Sequence, residues 1–302
     1  MFRYLERSEN AARLLEAGWR MALTRSDSAD TEWESVLTTV GARAAYNEHY
    51  DDYDAGHVIN FLLRDKRNPG SILSMLEQAR NNARLVRTAL SREVWESTNE
   101  CWMTLKSDLA RPVPDRDLAS VLSEVRYRTA VVRGSLHGTM LRNDIYDFTR
   151  IGTFLERADN TARILDVKYY ILLPTAAALG SSLDNAQWET ILRSVSAYRS
   201  YRWLYPGDIN AKGISDFLIL DKRMPRSLAF CTGKMSEHLR NLEQQYGIRH
   251  TSHELVDEMS LDRSRHSVDT IFDEGLHEFL LDRIKCISQL AGQIETDFRF
   301  YG

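Results

Sequence analysis

The sequence predicts an all-α protein, a multi-helix bundle built from two duplicated halves that are related by a pseudo-twofold axis. Helical periodicity of the apolar residues runs through almost the whole chain. Only six prolines and 15 glycines occur among 302 residues, too few for the turns of a sheet protein. One eleven-residue segment is also written twice, as LERSENAARLL (residues 5–15) and LERADNTARIL (residues 155–165), with seven identical positions.

A second pair of segments supports the duplication. FLLRDKRNPGS (residues 61–71) and FLILDKRMPRS (residues 217–227) share seven of eleven residues, and Arg84 and Arg240 lie at the same offset beyond them. The segment 134–142, GSLHGTMLR, separates the copies because its two glycines interrupt the helical pattern. We therefore predict a first helical repeat at 1–142 and a second at 143–302 that share one compact core.

The elements of the first copy follow from capping signals. The first helix covers about residues 2–24, and Asp30 caps a second helix that reaches residue 50. A short third helix spans 57–65, and Asn68 with Pro69 opens a long fourth one. Ser91 caps a fifth helix, and a sixth covers about 115–132.

The second copy repeats this order. It begins with a long helix from about residue 143 to Pro174 that carries the repeated motif. The last helix, about 275–300, presents an apolar stripe and is expected to close the core.

Composition excludes several classes of function. The net charge is −4 and basic residues are interleaved with acids, so we expect neither nucleic-acid nor membrane-surface binding. No apolar run approaches the roughly 20 residues that span a bilayer. The charged N-terminal segment lacks the apolar centre of a signal peptide, and three widely spaced cysteines are typical of reduced thiols, so we expect a cytoplasmic protein.

The repeated motif carries the candidate site residues. On a helical projection its acids share one face, and we predict that this face binds a ligand or partner from the outside. Its residues are Glu6, Glu9, Asn10 and Arg13 in the first copy and Glu156, Asp159, Asn160 and Arg163 in the second. Arg7 and Arg157 fall instead on the apolar side. We predict them to be buried anchors that form structural ion pairs, with Asp65 and Asp221 as the favoured partners.

Three chemical interpretations of the motif stay open. The acids could form a binding surface, Glu6 and Glu156 could act as general acid–base groups, or the whole motif could be a structural ion-pair network. A metal site is not expected because the Glu-x-x-His pattern of di-iron bundles is missing. No phosphate-binding glycine loop or nucleophile elbow occurs, so no cofactor is predicted. His137, His250 and His253 are more typical of structural histidines.

These residues resemble the bacterial alpha-E domain family. The resemblance rests on the two motif copies, on FLLRDKRNPGSI, on HGTMLR (residues 137–142) and on GLHEFL (residues 275–280). It implies an all-helical fold named for its motif glutamates, which are Glu6, Glu9 and Glu156 here, with Asp159 in place of the usual acid.

The resemblance also implies partners. Members of the family are typically encoded with, or fused to, a circularly permuted ATP-grasp ligase and a transglutaminase-like protein. It thus implies an accessory or scaffold role in ATP-dependent amide-bond formation or peptide modification, with the ligase or its peptide substrate bound by the paired acids. The alternative is an enzyme that uses the paired glutamates as general acid–base or metal-binding groups.

Overall fold

The predicted all-α class is confirmed. The computed structural model describes residues 1–24, 29–170, 182–207 and 209–300, of which only the backbone is described at 21, 23–24, 29–31, 167–170, 182–186 and 262–264. Every regular element in these segments is helical, and none of their helices is both long and apolar enough to cross a membrane. The chain forms two compact units, Met1–Tyr146 and Asp147–Gly302.

The first unit is built around its first helix. Helix α1 packs against α2, α5 and α7, while α6 packs between α5 and α7. Its large buried side chains include Trp33, Tyr46 and Phe61. The helices of this unit are α1 (Phe2–Thr24), α2 (Ala29–Thr39), α3 (Arg43–Asn47), α4 (Ala55–Leu63), α5 (Ile72–Leu85), α6 (Arg92–Asp108) and α7 (Asp115–Thr139).

The second unit places its motif helix first. Helix α8 begins just before the unit boundary, and α12 packs against α13, which in turn packs against α15. The helices are α8 (Asp144–Tyr170), α9 (Ser182–Ser194), α10 (Tyr198–Leu204), α11 (Ala211–Ser215), α12 (Leu228–Tyr246), α13 (Thr251–Arg265), α14 (Val268–Glu274) and α15 (Leu276–Asp297). A π-helical turn, Asp216–Leu220, follows α11.

Local sequence explains several helix ends. The predicted cap at Ser91 is confirmed, because its side chain accepts a hydrogen bond from the Val94 backbone N–H at 3.3 Å. The predicted second helix is wrong in extent: it breaks after Thr39, where Gly41 adopts a positive φ of 72°. Asp30 lies inside the first turn of α2 rather than at its cap.

Two predicted boundaries are wrong. The fourth helix begins at Ile72 with Ser71 as its cap, because the Asn68 side chain closes a turn by accepting from the Gly70 N–H at 2.9 Å. Helix α7 continues past Val132 to Thr139, through Gly134. Glycine costs a helix about 1 kcal/mol relative to alanine, and the burial of Leu136 offsets that cost. The predicted end of the motif helix at Pro174 lies outside the described residues.

A buried polar contact joins α8 to α12 in the second unit. The Asp147 carboxylate lies 2.6 Å from Nδ1 of His238 and accepts a hydrogen bond from the Asn241 amide at 3.1 Å. Phe154 stacks on the imidazole with ring centroids 6.1 Å apart. Burial lowers the pKa of His238, against the opposing effect of the Asp147 hydrogen bond.

This lowered pKa predicts a pH-dependent stability. The unfolded chain binds a proton at His238 more readily than the native protein does, so the free energy of unfolding should fall as the pH drops below about 6.5, the ordinary histidine pKa. In His238→Gln, which cannot titrate, this fall should be smaller between about pH 7 and pH 5. Urea unfolding monitored by circular dichroism measures it. His49→Gln, at an exposed position, is the control, and identical slopes in all three proteins would contradict the prediction.

Candidate functional site

The acidic motif of α1 faces the protein interior. Glu6 is 1% exposed and Glu9 is fully buried, and Asn10 is buried beside them. The prediction of an outward acidic face is therefore wrong for this copy. The acids can be buried because α7 supplies a positively charged partner for their carboxylates.

Glu9 is the centre of the buried network. Its Oε1 accepts from Arg13 Nη2 at 2.7 Å and from Arg13 Nε at 3.0 Å. Its Oε2 accepts a short hydrogen bond from Arg133 Nη1 and lies 3.2 Å from the Thr129 hydroxyl, which shares its single proton with the Val125 and Arg126 carbonyl oxygens at 3.0 Å. Both carboxylate oxygens are thus occupied by donors, and two of the donors come from another helix. Hydrogen bonds from charged arginines to a carboxylate are about twice as strong as those between neutral groups.

The network continues along the same two helices. Glu6 Oε2 lies 3.7 Å from Arg133 Nη1, and Glu16 forms an ion pair with Arg126 of α7. Glu16 also pairs with Arg20 at 2.9 Å. The α7 partners lie three or four residues apart, so they occupy one helix face. Because higher numbers on α1 meet lower numbers on α7, the helices run antiparallel with a fixed register.

The second motif copy, on α8, is only partly buried. Glu156 is 4% exposed, whereas the Asp159 side chain is 23% exposed and pairs with Arg163 at 2.7 Å within the same helix. Asn160 is half-buried. One turn further along, the Asp166 carboxylate lies 2.5 Å from Nδ1 of His277 on α15. The second copy therefore keeps Glu156 inside but leaves the Asp159–Arg163 pair reachable from solvent.

The motif arginines were predicted to be buried, and the first of them is not. Arg7 is exposed, and Arg157 is half-buried. Arg157 donates to the Pro225 carbonyl oxygen at 3.3 Å and lies over the Phe154 ring at 5.6 Å. With the acids turned inward, the next residue along the helix falls about 100° away and toward the surface.

Asp65 and Asp221 form ion pairs with different partners from those predicted. Each caps a turn: Asp65 binds Arg67 at 2.6 Å, and Asp221 binds Arg223 at 2.8 Å. These hydrogen bonds hold the pKa of both aspartates below the ordinary value. In each turn the aspartate carboxylate binds the arginine two residues further along the chain, because both the backbone N–H and the side chain of that arginine reach it.

The histidines singled out in the sequence make hydrogen bonds within the fold. His253 accepts from the His250 N–H at 3.0 Å and lies 2.9 Å from the Leu239 carbonyl oxygen. His137 lies 3.0 Å from the Tyr146 hydroxyl. Among the described residues, no group of three or more His, Cys, Asp or Glu side chains is placed to hold a metal ion.

Sequence reasoning missed the functional partners on α7. Arg126, Thr129 and Arg133 recur at the spacing of one helix face, and that spacing is visible in the sequence. It could have indicated a basic stripe facing the acidic one. Which helix it faces was not readable, since more than 100 residues separate the two stripes.

A known family model covers almost the whole chain. A model of the Alpha-E family, described as a predicted alpha-helical domain with a conserved ER motif, matches residues 1–298. The chain belongs to the Alpha-E family. Glu6-Arg7 and Glu156-Arg157 are the two Glu-Arg pairs of the repeated segment, and in both the glutamate is buried while the arginine is more exposed.

Relatives of this Alpha-E chain are longer proteins. It is 25% identical over 318 aligned residues to uncharacterized proteins of Mycobacterium bovis and Mycobacterium tuberculosis. The match covers 99% of this chain and 35% of each relative. The chain therefore spans about a third of their length. No solved structure matches the chain.

Arg133→Met tests the buried network. The change leaves Glu9 without its charged donor from α7, and breaking a buried pair in this way typically costs about 3–5 kcal/mol of unfolding free energy. Urea denaturation measures the loss. Arg92→Met is the matched control, since Arg92 forms an exposed pair with Glu96 on the neighbouring helix α6 and its loss should leave the midpoint unchanged. Equal midpoints for the two variants would refute a structural role for the α1–α7 network.

Proposed function

We propose that the chain is a non-catalytic helical partner in a system that forms amide bonds or modifies peptides. The other members would be an ATP-grasp-type ligase and a transglutaminase-like protein, the association that the sequence resemblance implies. The proposal that the chain is not catalytic rests on Glu9, whose two carboxylate oxygens already contact Arg13, Thr129 and Arg133.

A general base needs a free lone pair within hydrogen-bonding reach of its substrate. Glu9 is fully buried, and the exposed fraction of Glu6 is 1%. Both carboxylates are closed off from solvent in the folded chain, so an amine or peptide substrate could reach them only after the packing around them opens. The buried motif acids therefore favour a structural role over the alternative of paired acid–base catalysts.

The same burial changes the docking prediction. A partner cannot contact Glu6 or Glu9 directly, so the ligase or peptide must use other residues of the surface. Of the predicted binding acids, Asp159 is the one described as partly exposed, and its carboxylate is already paired with Arg163. The Glu-Arg motif would then preserve the shape of the module while other residues recognise the partner.

The length of the relatives supports a module that works beside other domains. In the mycobacterial proteins the matching region is 35% of the polypeptide, so it belongs to a longer chain there. The proposal includes a cytoplasmic setting, where ATP is available to a ligase. All three cysteines are free thiols, as they are in reducing compartments.

A variant that lacks the charges of Glu9 and Arg133 distinguishes a structural role of this buried pair from a role in recognising a partner. Replacing a buried ion pair with apolar or neutral residues of similar size is often neutral for stability. The double variant Glu9→Gln/Arg133→Met should therefore fold, bind an ATP-grasp ligase of the kind that the resemblance implies and support its turnover like the wild type. Isothermal titration calorimetry measures binding, and ATP hydrolysis by the ligase measures turnover.

Two outcomes would contradict separate parts of the proposal. Absence of a complex between the wild-type chain and the ligase, with unchanged ligase turnover, would refute the partnership. A double variant that melts like the wild type but no longer supports turnover would instead show that the motif acids take part in function directly.

A further inference from the structure

A groove in the second unit lies apart from the Glu-Arg motif. It encloses about 730 Å³ between α12 and α13, and Lys222 of the turn before α12 also lines it. Helix α12 contributes Phe230, Gly233 and Arg240, and α13 contributes Leu261. The groove is built from residues that the proposed function leaves unused.

The acids that line this groove are already neutralised. Glu237 forms an ion pair with Lys234 at 2.6 Å, and the hydrogen bond that Lys234 donates lowers the pKa of Glu237. Asp257 pairs with Arg249 at 2.7 Å. Both acids of the lining therefore have a basic partner before any ligand is present, although Glu243 shares Arg249 with Asp257.

Two cations of the lining are not matched in this way. Arg240 donates to the Ser236 hydroxyl at 2.9 Å, and neither Arg240 nor Lys222 forms an ion pair with a carboxylate of the described residues. Both side chains belong to exposed residues. The lining has three basic side chains, Lys222, Lys234 and Arg240, against two acidic ones, so it carries a net positive charge, which attracts carboxylates or phosphates.

The shape of the groove favours a peptide over a small ion. Its α12 lining extends from Ala229 to Arg240, which corresponds to about 16 Å along a helix rising 1.5 Å per residue. An extended peptide of about five residues has this length. Phe230 and the 60% exposed Leu261 provide apolar surface that inorganic phosphate would not use.

We infer that this groove binds an acidic peptide segment, whose carboxylates pair with Lys222 and Arg240 and whose apolar side chain contacts Phe230 and Leu261. The groove does not depend on the ligase partnership, because its charge and shape come from this chain alone.

Fluorescence anisotropy with the full chain tests the inference. The probe is a fluorescein-labelled peptide of about five residues, with glutamates around one leucine. We expect saturable binding that weakens as salt is added, since exposed ion pairs are screened. The same peptide with glutamine in place of glutamate should bind at least about tenfold more weakly, because it keeps the shape but loses the charge.

Matched variants locate the binding. Lys222→Gln/Arg240→Gln should weaken the peptide about tenfold, whereas Lys66→Gln/Arg84→Gln, at the corresponding sequence positions of the first copy, should leave it unchanged. Gly233→Leu should block the groove, since a Cβ there meets no atom within 4 Å and the added side chain would occupy the open space. Gly292→Leu on α15, also open within 4 Å, is its control. Thermal melting confirms that each variant is folded.

Several results would overturn the inference. The first is no saturable binding by the wild-type chain. The second is equal weakening by the Lys66/Arg84 control pair, and the third is unchanged binding by folded Gly233→Leu. Displacement of the peptide by inorganic phosphate at equal concentration would assign the site to phosphate instead. None of these results bears on ligase binding, which is measured separately.

Discussion

The first unit depends on one buried interaction, the pairing of Glu9 on α1 with Arg133 on α7. A carboxylate in the core needs charged partners, and Arg133 adds one from α7 to the one that Arg13 supplies from α1 itself, so the pair holds α7 against α1. Glu16 and Arg126 add a second pair further along the same helices. Two pairs set both the direction and the register, because sliding either helix by one turn separates both. Apolar packing of Leu5 and Leu15 supplies the attraction without fixing this register.

Helix content was readable from the sequence because periodicity and capping are local. Ser91 caps α6 as predicted, and the first helix has the predicted extent. The wrong boundaries are those where a tertiary contact outweighs a local preference. Glycine at 134 predicts a helix end, but burial of Leu136 carries α7 through it. Pro69 predicts a helix start, but the Asn68 side chain forms a turn there and delays it.

The motif was found from sequence, whereas its orientation was not. A helical projection gives the angles between side chains but does not say which stripe meets another helix. Charged residues were assigned to solvent by their ordinary preference, and Arg7 was assigned to the core by its apolar neighbours. Arg126 and Arg133 compensate the charges of Glu16 and Glu9, so the acidic face packs against α7 instead of facing solvent. The general lesson is that an acidic stripe predicts exposure only when no basic stripe of matching spacing exists elsewhere.

The two units treat similar sequences differently. Asp65 and Asp221 cap the same kind of turn, and stacked tyrosines lie before both, Tyr46 on Tyr50 and Tyr201 on Tyr205, each with ring centroids 4.8 Å apart. At the motif, however, Glu9 is bound both by Arg13 of its own helix and by Arg133 of another helix, whereas Asp159 pairs with Arg163 of its own helix and stays partly exposed. A carboxylate bound within one helix does not constrain a neighbour. The first unit uses the charges of Glu9 and Arg133 to hold its helices together. In the second unit, Lys222 and Arg240 line a groove beside α12, where they are available to a ligand.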